Sequence, residues 1–249
     1  MNVLLTVQYD GTNYNGWQKQ ANTPSTIQEV LEEALACRLG EKYTLTAAGR
    51  TDAGVHATAM PCAFTCCRLG IPPERLPLAL NSLLPQDIRV TRAGIVADGF
   101  DPITDAKHKT YRYRIDNGEV PDVFARRYAW HIHSKLDVAA MEEAAAFFVG
   151  TFDFKAFAAA GGSAKTSVRT IFGLRVERNM DMISIDVTGN GFLYNMVRII
   201  VGTLAEVGLG KRQPADIPAV IASLDRKKAG QTAPAMGLTM VEVVYPAMP

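Results

Sequence analysis

Nowhere does the sequence run on in apolar residues for the roughly 18 positions that a membrane-spanning helix needs. It opens Met1-Asn2-Val3-Leu4-Leu5-Thr6-Val7-Gln8-Tyr9-Asp10, with neither a basic n-region nor an h-region of signal-peptide length. That segment reads as a first strand, and the expectation is a cytoplasmic protein without a membrane partner. An excess of charge of one sign is also missing: 26 Lys and Arg stand against 25 Asp and Glu in 249 residues, a net +1. This balance excludes a uniformly basic surface but not a local one, because binding depends on where the charge lies. Cysteines number only four. Cys66 and Cys67 are adjacent and Cys37 and Cys62 stand in apolar surroundings, which is not a spaced disulfide framework. No CxxC or HxxxH accompanies Cys62 and Cys66, so they read as small buried hydrophobes rather than half a metal site.

What is present is ordinary globular composition, 48% hydrophobic and 20% charged. Such a chain buries enough apolar surface to offset its ordering entropy, and its length suits one large domain or two smaller ones. Val3 to Tyr9 reads as a strand ended by Asp10-Gly11. A loop over 12–24 holds Tyr14, Gly16 and Trp17, of which Tyr14 and Trp17 either stack on a ligand or pin the loop. Thr26 and Glu29 form a capping box for a helix with Ile27, Val30, Leu31, Ala34 and Leu35 at helical spacing, ended by Gly40. Strands follow over 44–48, 56–67 and 88–96, with a helix opened by Pro72 and Pro73 between the last two.

Residues 97–106 read as a connector, dividing the chain into 1–105 and 106–249. The second half predicts strands over 110–115, 128–133, 169–178, 182–187 and 239–245, and helices over 137–149, 192–207 and 215–224. Long helices between strands with hairpin-type returns favour α+β over a doubly wound parallel sheet. The expected architecture is two similar α+β halves with largely antiparallel sheets and a cleft between them.

The most informative segment is Gly49-Arg50-Thr51-Asp52-Ala53-Gly54-Val55-His56-Ala57. Glycines on both sides allow a tight loop and close approach of a ligand. A lone carboxylate there can cap a turn, bind a metal, or act as nucleophile or base. A metal would need more ligands than His56 alone, and Arg50 would repel it. Arg50 is suited to hold Asp52 ionised against the effect of burial, and an ionised, oriented carboxylate is a competent nucleophile. His56, at a strand start, reads equally well as structural.

This loop closely resembles the catalytic loop of the tRNA pseudouridine synthase A family. Tyr9-Asp10-Gly11-Thr12-Asn13-Tyr14-Asn15-Gly16-Trp17-Gln18 resembles that family's first strand and loop, and Lys109-Thr110-Tyr111-Arg112-Tyr113 its strand with the active-site tyrosine. Gly189 to Arg198 is similar to the motif that delivers a second arginine, and Ala233-Pro234-Ala235-Met236-Gly237-Leu238 to the entry of the last strand. Five motifs in order span nearly the whole chain. The resemblance implies a pseudouridine synthase fold, isomerisation of uridine at positions 38, 39 and 40 of the tRNA anticodon stem-loop, no cofactor, and a homodimer. It makes Asp52 the nucleophile, with Arg50, Tyr111 and Arg198 as its catalytic companions. Attack at C1′, attack at C6 and a glycal route all stay open.

Tyr111 could stack on the target base and relay a proton from C5; alternatively, Tyr111 and Tyr113 share the core face of a strand. Arg198 stands among the apolar residues Val197, Ile199 and Ile200, where a charge needs a partner, and Asp52 is the candidate. Lys107, Lys109, Arg112, Arg126, Arg127, Lys165 and Arg169 could line a groove for phosphates, or be idle surface charges. Gly161-Gly162-Ser163-Ala164-Lys165 lacks the context of a nucleotide P-loop, so no nucleotide cofactor is expected. Two other classes compete: a non-catalytic RNA binder, against which the Arg50-Asp52 pair speaks, and a metal-dependent hydrolase using Asp52 and His56.

Overall fold

The structure, a computed structural model, describes residues 1–20, 23 and 25–246. Pro24, where the loop expected over 12–24 ends, lies outside the described residues. Contacts divide the chain into two units: Met1–Lys107 with the chain from Thr239 onward, and His108–Leu238.

In the first unit, strand β1 (Asn2–Tyr9) lies between β3 (His56–Thr65) and β4 (Ile88–Val96), antiparallel to both. Val3, Leu5, Val7 and Tyr9 are buried, the period of two that a strand with one covered face requires. Helix α1 (Ile27–Leu39) starts where its cap predicts: the Thr26 hydroxyl accepts from the Glu29 amide. It stops at Gly40, in left-handed backbone, whose amide donates to the Ala36 carbonyl. Ile27, Leu31 and Leu35 are fully buried along one stripe, each worth roughly 1.5–3 kcal/mol relative to exposure. Two short elements complete the unit. Helix α2 (Leu76–Asn81) buries Leu76 and Leu80, and β2 (Thr46–Ala47) pairs with β3.

The last strand, β10 (Leu238–Val244), pairs in parallel with β3 through Thr239 opposite His56 and Met240 opposite Ala57. The chain from Thr239 therefore belongs with the first unit, whereas the sequence reading put all of 106–249 in the second half. Pairing to a strand so far upstream leaves no local mark in the sequence.

In the second unit, β5 (His108–Asp116) pairs antiparallel with β9 (Met182–Gly189), β9 with β8 (Val168–Asn179), and β8 with β7 (Gly150–Asp153). A short β6 (Trp130–His131) runs parallel to β5. Helix α3 (Val138–Ala146) is capped by Asp137, whose carboxylate accepts from the Ala140 amide at 3.1 Å. Helix α4 (Met196–Gly208) buries eleven of its thirteen residues, and α5 (Ile217–Ser223) follows. Each unit is α+β with mainly antiparallel pairing, as expected. Among the described residues no helix is long and apolar enough to cross a membrane.

Two local differences from the sequence reading concern this unit. β7 is a strand of four residues, too short to show alternation. Helix α4 begins at Met196 rather than Phe192, because Asn195 takes left-handed backbone at φ 60 immediately before it.

Candidate active site

In the first unit the loop between β2 and β3 is clamped by the loop between β1 and α1. The Trp17 amide donates to the Thr51 carbonyl at 3.0 Å, and the Gly54 amide to the Tyr14 carbonyl at 3.3 Å. Tyr9 Oη and Thr51 Oγ1 share a buried hydrogen bond of 2.7 Å. The Val55 amide closes the turn on the Asp52 carbonyl at 3.1 Å. Two glycines make the approach feasible. A Cβ on Gly11 would run into the Val55 carbonyl oxygen, and one on Gly16, at φ +83, would sit 2.6 Å from the Thr51 carbonyl oxygen. The residues on either side of Asp52 are thus held, while Asp52 itself is half-buried.

Trp17 is 1% exposed and its ring lies 6.0 Å from that of Tyr9. It pins the loop and has no face left for a base. Tyr14 pins it too: its hydroxyl donates to Asp87 Oδ1 at 2.7 Å, and burial, with help from Asp87, raises the phenol above its ordinary range. His56 is buried. Its Nδ1 lies 3.0 Å from the Gly11 amide nitrogen, which donates to it. The same Nδ1 lies 3.1 Å from Asp10 Oδ1, which accepts from the Thr12 amide and hydroxyl. His56 therefore ties the start of β3 to the turn after β1. Arg50 is exposed.

In the second unit Lys109, Tyr111 and Tyr113 share the buried face of β5. The Tyr111 ring meets Phe192 edge to face, with centroids 5.3 Å apart. Tyr113 Oη donates to the Pro234 carbonyl at 2.7 Å, and burial holds its phenol well above the usual range, against a weaker opposing effect of Arg198. Arg198, in the first turn of α4, donates from Nε to the Ala233 carbonyl at 2.7 Å and from Nη1 to Asn195 Oδ1 at 2.8 Å. Ala233-Pro234 thus anchors both the tyrosine strand and the arginine helix. Sequence reading missed this use of two backbone carbonyls, and also Phe192, Asn195 and Thr51. Only the left-handed Asn195 had a residue-type signal, since asparagine tolerates that conformation.

The basic residues separate into groups. Lys107, Arg126, Arg127 and Lys165 are exposed. Lys109 is 8% exposed and belongs to the interior face of its strand. Arg112 makes a two-pronged pair with Asp186, its cross-strand partner, with both N–O distances 2.7 Å. That bond raises its already high pKa, and the guanidinium serves the sheet. Arg169 donates to the Thr166 and Val168 carbonyls and is half-buried, which lowers its pKa somewhat. Among the described residues no three His, Cys, Asp or Glu side chains gather as a metal site.

The chain matches the model of a family described as tRNA pseudouridine synthase over residues 5–101 and 144–246. It is 49% identical over 244 residues to tRNA pseudouridine synthase A of Acetivibrio thermocellus, covering 98% of this chain and 99% of that one. It is 48% identical over 243 residues to the protein of that name from Geotalea uraniireducens, with 98% and 99% covered. With the one from Moorella thermoacetica the identity is 49% over 243 residues, with 97% and 98% covered. A chain of a solved Cbf5-Nop10-Gar1 complex aligns with 96% of this chain and 48% of that one, at 13% identity and a TM-score of 0.38, too distant to assign a residue.

Proposed function

The chain belongs to the tRNA pseudouridine synthase A family, and on that premise we propose that it isomerises uridine to pseudouridine in tRNA with Asp52 as nucleophile, at positions 38, 39 and 40 of the anticodon stem-loop. In this reaction the N1–C1′ bond breaks, the uracil turns, and a C5–C1′ bond forms. C5 gives up a proton and N1 takes one, so the isomerisation consumes no co-reactant. The observation that carries the assignment is the clamped loop. The backbone on both sides of Asp52 is fixed by bonds from residues 9–17, which positions a carboxylate before substrate arrives.

The companions follow from their settings. Tyr111, with its ring fixed at the edge by Phe192, serves the flipped base as a stacking face and takes the C5 proton. Arg198 is the cation of the reaction, oriented by Ala233 and Asn195. Arg50, exposed two residues from the nucleophile, helps keep its carboxylate ionised and faces the RNA. Phosphate contacts come from the exposed Lys107, Arg126, Arg127 and Lys165. We further propose a homodimer in which one tRNA touches both subunits; sedimentation at working concentration checks it, and a monomer contradicts it.

The test incubates unmodified tRNA transcripts with the protein and maps pseudouridine base by base. Product at 38, 39 and 40 supports the reading. Product elsewhere moves the site, and no product from a folded, tRNA-binding preparation overturns the enzymatic assignment.

A further inference from the structure

The segment that joins β5 to β6 reads Gly118-Glu119-Val120-Pro121-Asp122-Val123-Phe124-Ala125-Arg126-Arg127-Tyr128. It lies between the two stretches of the family match. Its composition is unusual for a surface loop. Val120 is 78% exposed, Val123 64% and Phe124 89%, and Arg126 and Arg127 stand exposed beside them. Scattered apolar residues on a surface need no explanation, but a cluster led by a nearly bare aromatic ring does.

The loop is nevertheless well fixed. The buried Asp116 carboxylate accepts from the Gly118 amide at 3.1 Å and from the Asp122 amide at 2.8 Å. Asp122 Oδ1 accepts from the Phe124 amide at 2.8 Å, and the Tyr128 amide donates to the Ala125 carbonyl at 2.7 Å. From below, the ring nitrogens of His131 and His133 donate to the carbonyls of Gly118 and Glu119 at 3.0 and 3.1 Å. Two acidic side chains that would otherwise oppose RNA are thus engaged with loop amides. Asp122 in particular sets the backbone at Phe124. A ring held out by an ordered loop costs less entropy to dock than one on a loose chain.

We propose that this loop is a stacking finger for the tRNA: Phe124 lies against an unpaired base, and Arg126 and Arg127 hold the flanking phosphates. Aromatic rings next to guanidinium groups are the means by which proteins take up single-stranded bases without reading their sequence. The competing occupant is a second copy of the chain. Around a twofold axis, this patch would meet itself and bring the arginine pairs together, which disfavours it. The inference rests on the reading that tRNA is the substrate.

The experiment measures affinity for an unmodified tRNA transcript across a salt series for wild type, Phe124→Ala, Phe124→Tyr and Arg126→Ala. Phe124→Ala should weaken binding about 5- to 160-fold, because base stacking on an aromatic is worth roughly 1–3 kcal/mol, and should leave the salt slope unchanged. Phe124→Tyr keeps the ring and should restore the affinity. Arg126→Ala should reduce the slope by about one unit. Phe124→Trp adds a direct probe, since its emission should be quenched when tRNA is added. Wild-type affinity in Phe124→Ala, with an unquenched Phe124→Trp, overturns the proposal. So does a shift of Phe124→Ala from dimer to monomer in sedimentation without weaker tRNA binding, which would assign the patch to a second copy. Wild-type protein that binds the transcripts but forms no pseudouridine would sink the enzymatic reading and leave the finger standing.

Discussion

Arg198 and Ala233 bond to each other twice: Arg198 Nε donates to the Ala233 carbonyl at 2.7 Å, and the Ala233 amide donates to the Arg198 carbonyl at 3.1 Å. The exchange fixes the arginine through its backbone and its side chain together, and Asn195 Oδ1 takes a third donor. A guanidinium used in this way is a positioned group, not a mobile surface charge.

Arg198→Ala should therefore lower the single-turnover rate on saturating tRNA by about 10- to 100-fold, the loss expected from one charged hydrogen bond. Arg198→Lys should recover only part of it, since an ammonium cannot bond Ala233 and Asn195 while presenting a planar face. Arg50→Ala should also lower the saturated rate, and Arg50→Lys should recover part of it. Equal saturated rates for wild type and Arg198→Ala would remove Arg198 from the chemistry.

Gly16→Ala tests the clamp. It forces a side chain into left-handed backbone and against the Thr51 carbonyl, which should cost roughly 1–3 kcal/mol of stability. The rate should fall further than tRNA affinity does, because the Thr51-Asp52 backbone is displaced. Tyr9→Phe removes the bond to Thr51 and should cost about 1 kcal/mol. Urea midpoints with single-turnover rates check both. A Gly16→Ala protein with unchanged rate would show that the clamp does not position the nucleophile.

Salt dependence separates the basic residues. Each phosphate neutralised contributes roughly −0.9 to the slope of log affinity against log salt on duplex, and less on single strands. Arg126→Ala should flatten the slope by about one unit, and Lys109→Met should not, since Lys109 is buried in its strand. A tRNA affinity independent of salt would remove phosphate contacts from the account altogether.

Stability should fall above about pH 10. Tyr14 and Tyr113 have their phenol pKa raised in the folded state. Below the unfolded value both states are protonated and nothing changes. Above it, only the unfolded chain gives up the proton, so folding loses free energy as pH rises. Urea titrations from pH 7 to 11 should show a smaller alkaline decline in Tyr113→Phe than in wild type. An equal decline would place the effect elsewhere.

Several elements were legible because their signals are local. Thr26 with Glu29 and Gly40 mark both ends of α1, and alternation marks β1 and β5. Ile88–Val96 was read at the bounds the structure gives. The Asp52 loop stood out by its glycines, and its clamp matches the two loop motifs that the family resemblance joined. What was hidden depends on partners distant in sequence. Nothing in Lys-Thr-Tyr-Arg-Tyr says that Arg112 faces Asp186; that follows from the register of β5 with β9. The support of Arg198 by Ala233 uses a backbone carbonyl, which any residue supplies, so residue type could not reveal it.

The central claim is that Asp52 performs the chemistry. Asp52→Asn keeps the shape of the side chain and removes its charge, so it tests reaction rather than folding. The decisive measurement is single-turnover pseudouridine formation by this variant on saturating tRNA, with mass analysis excluding deamidation back to aspartate. The account predicts no detectable product and tRNA affinity within a few-fold of wild type. Substantial pseudouridine from a verified Asp52→Asn preparation would contradict it.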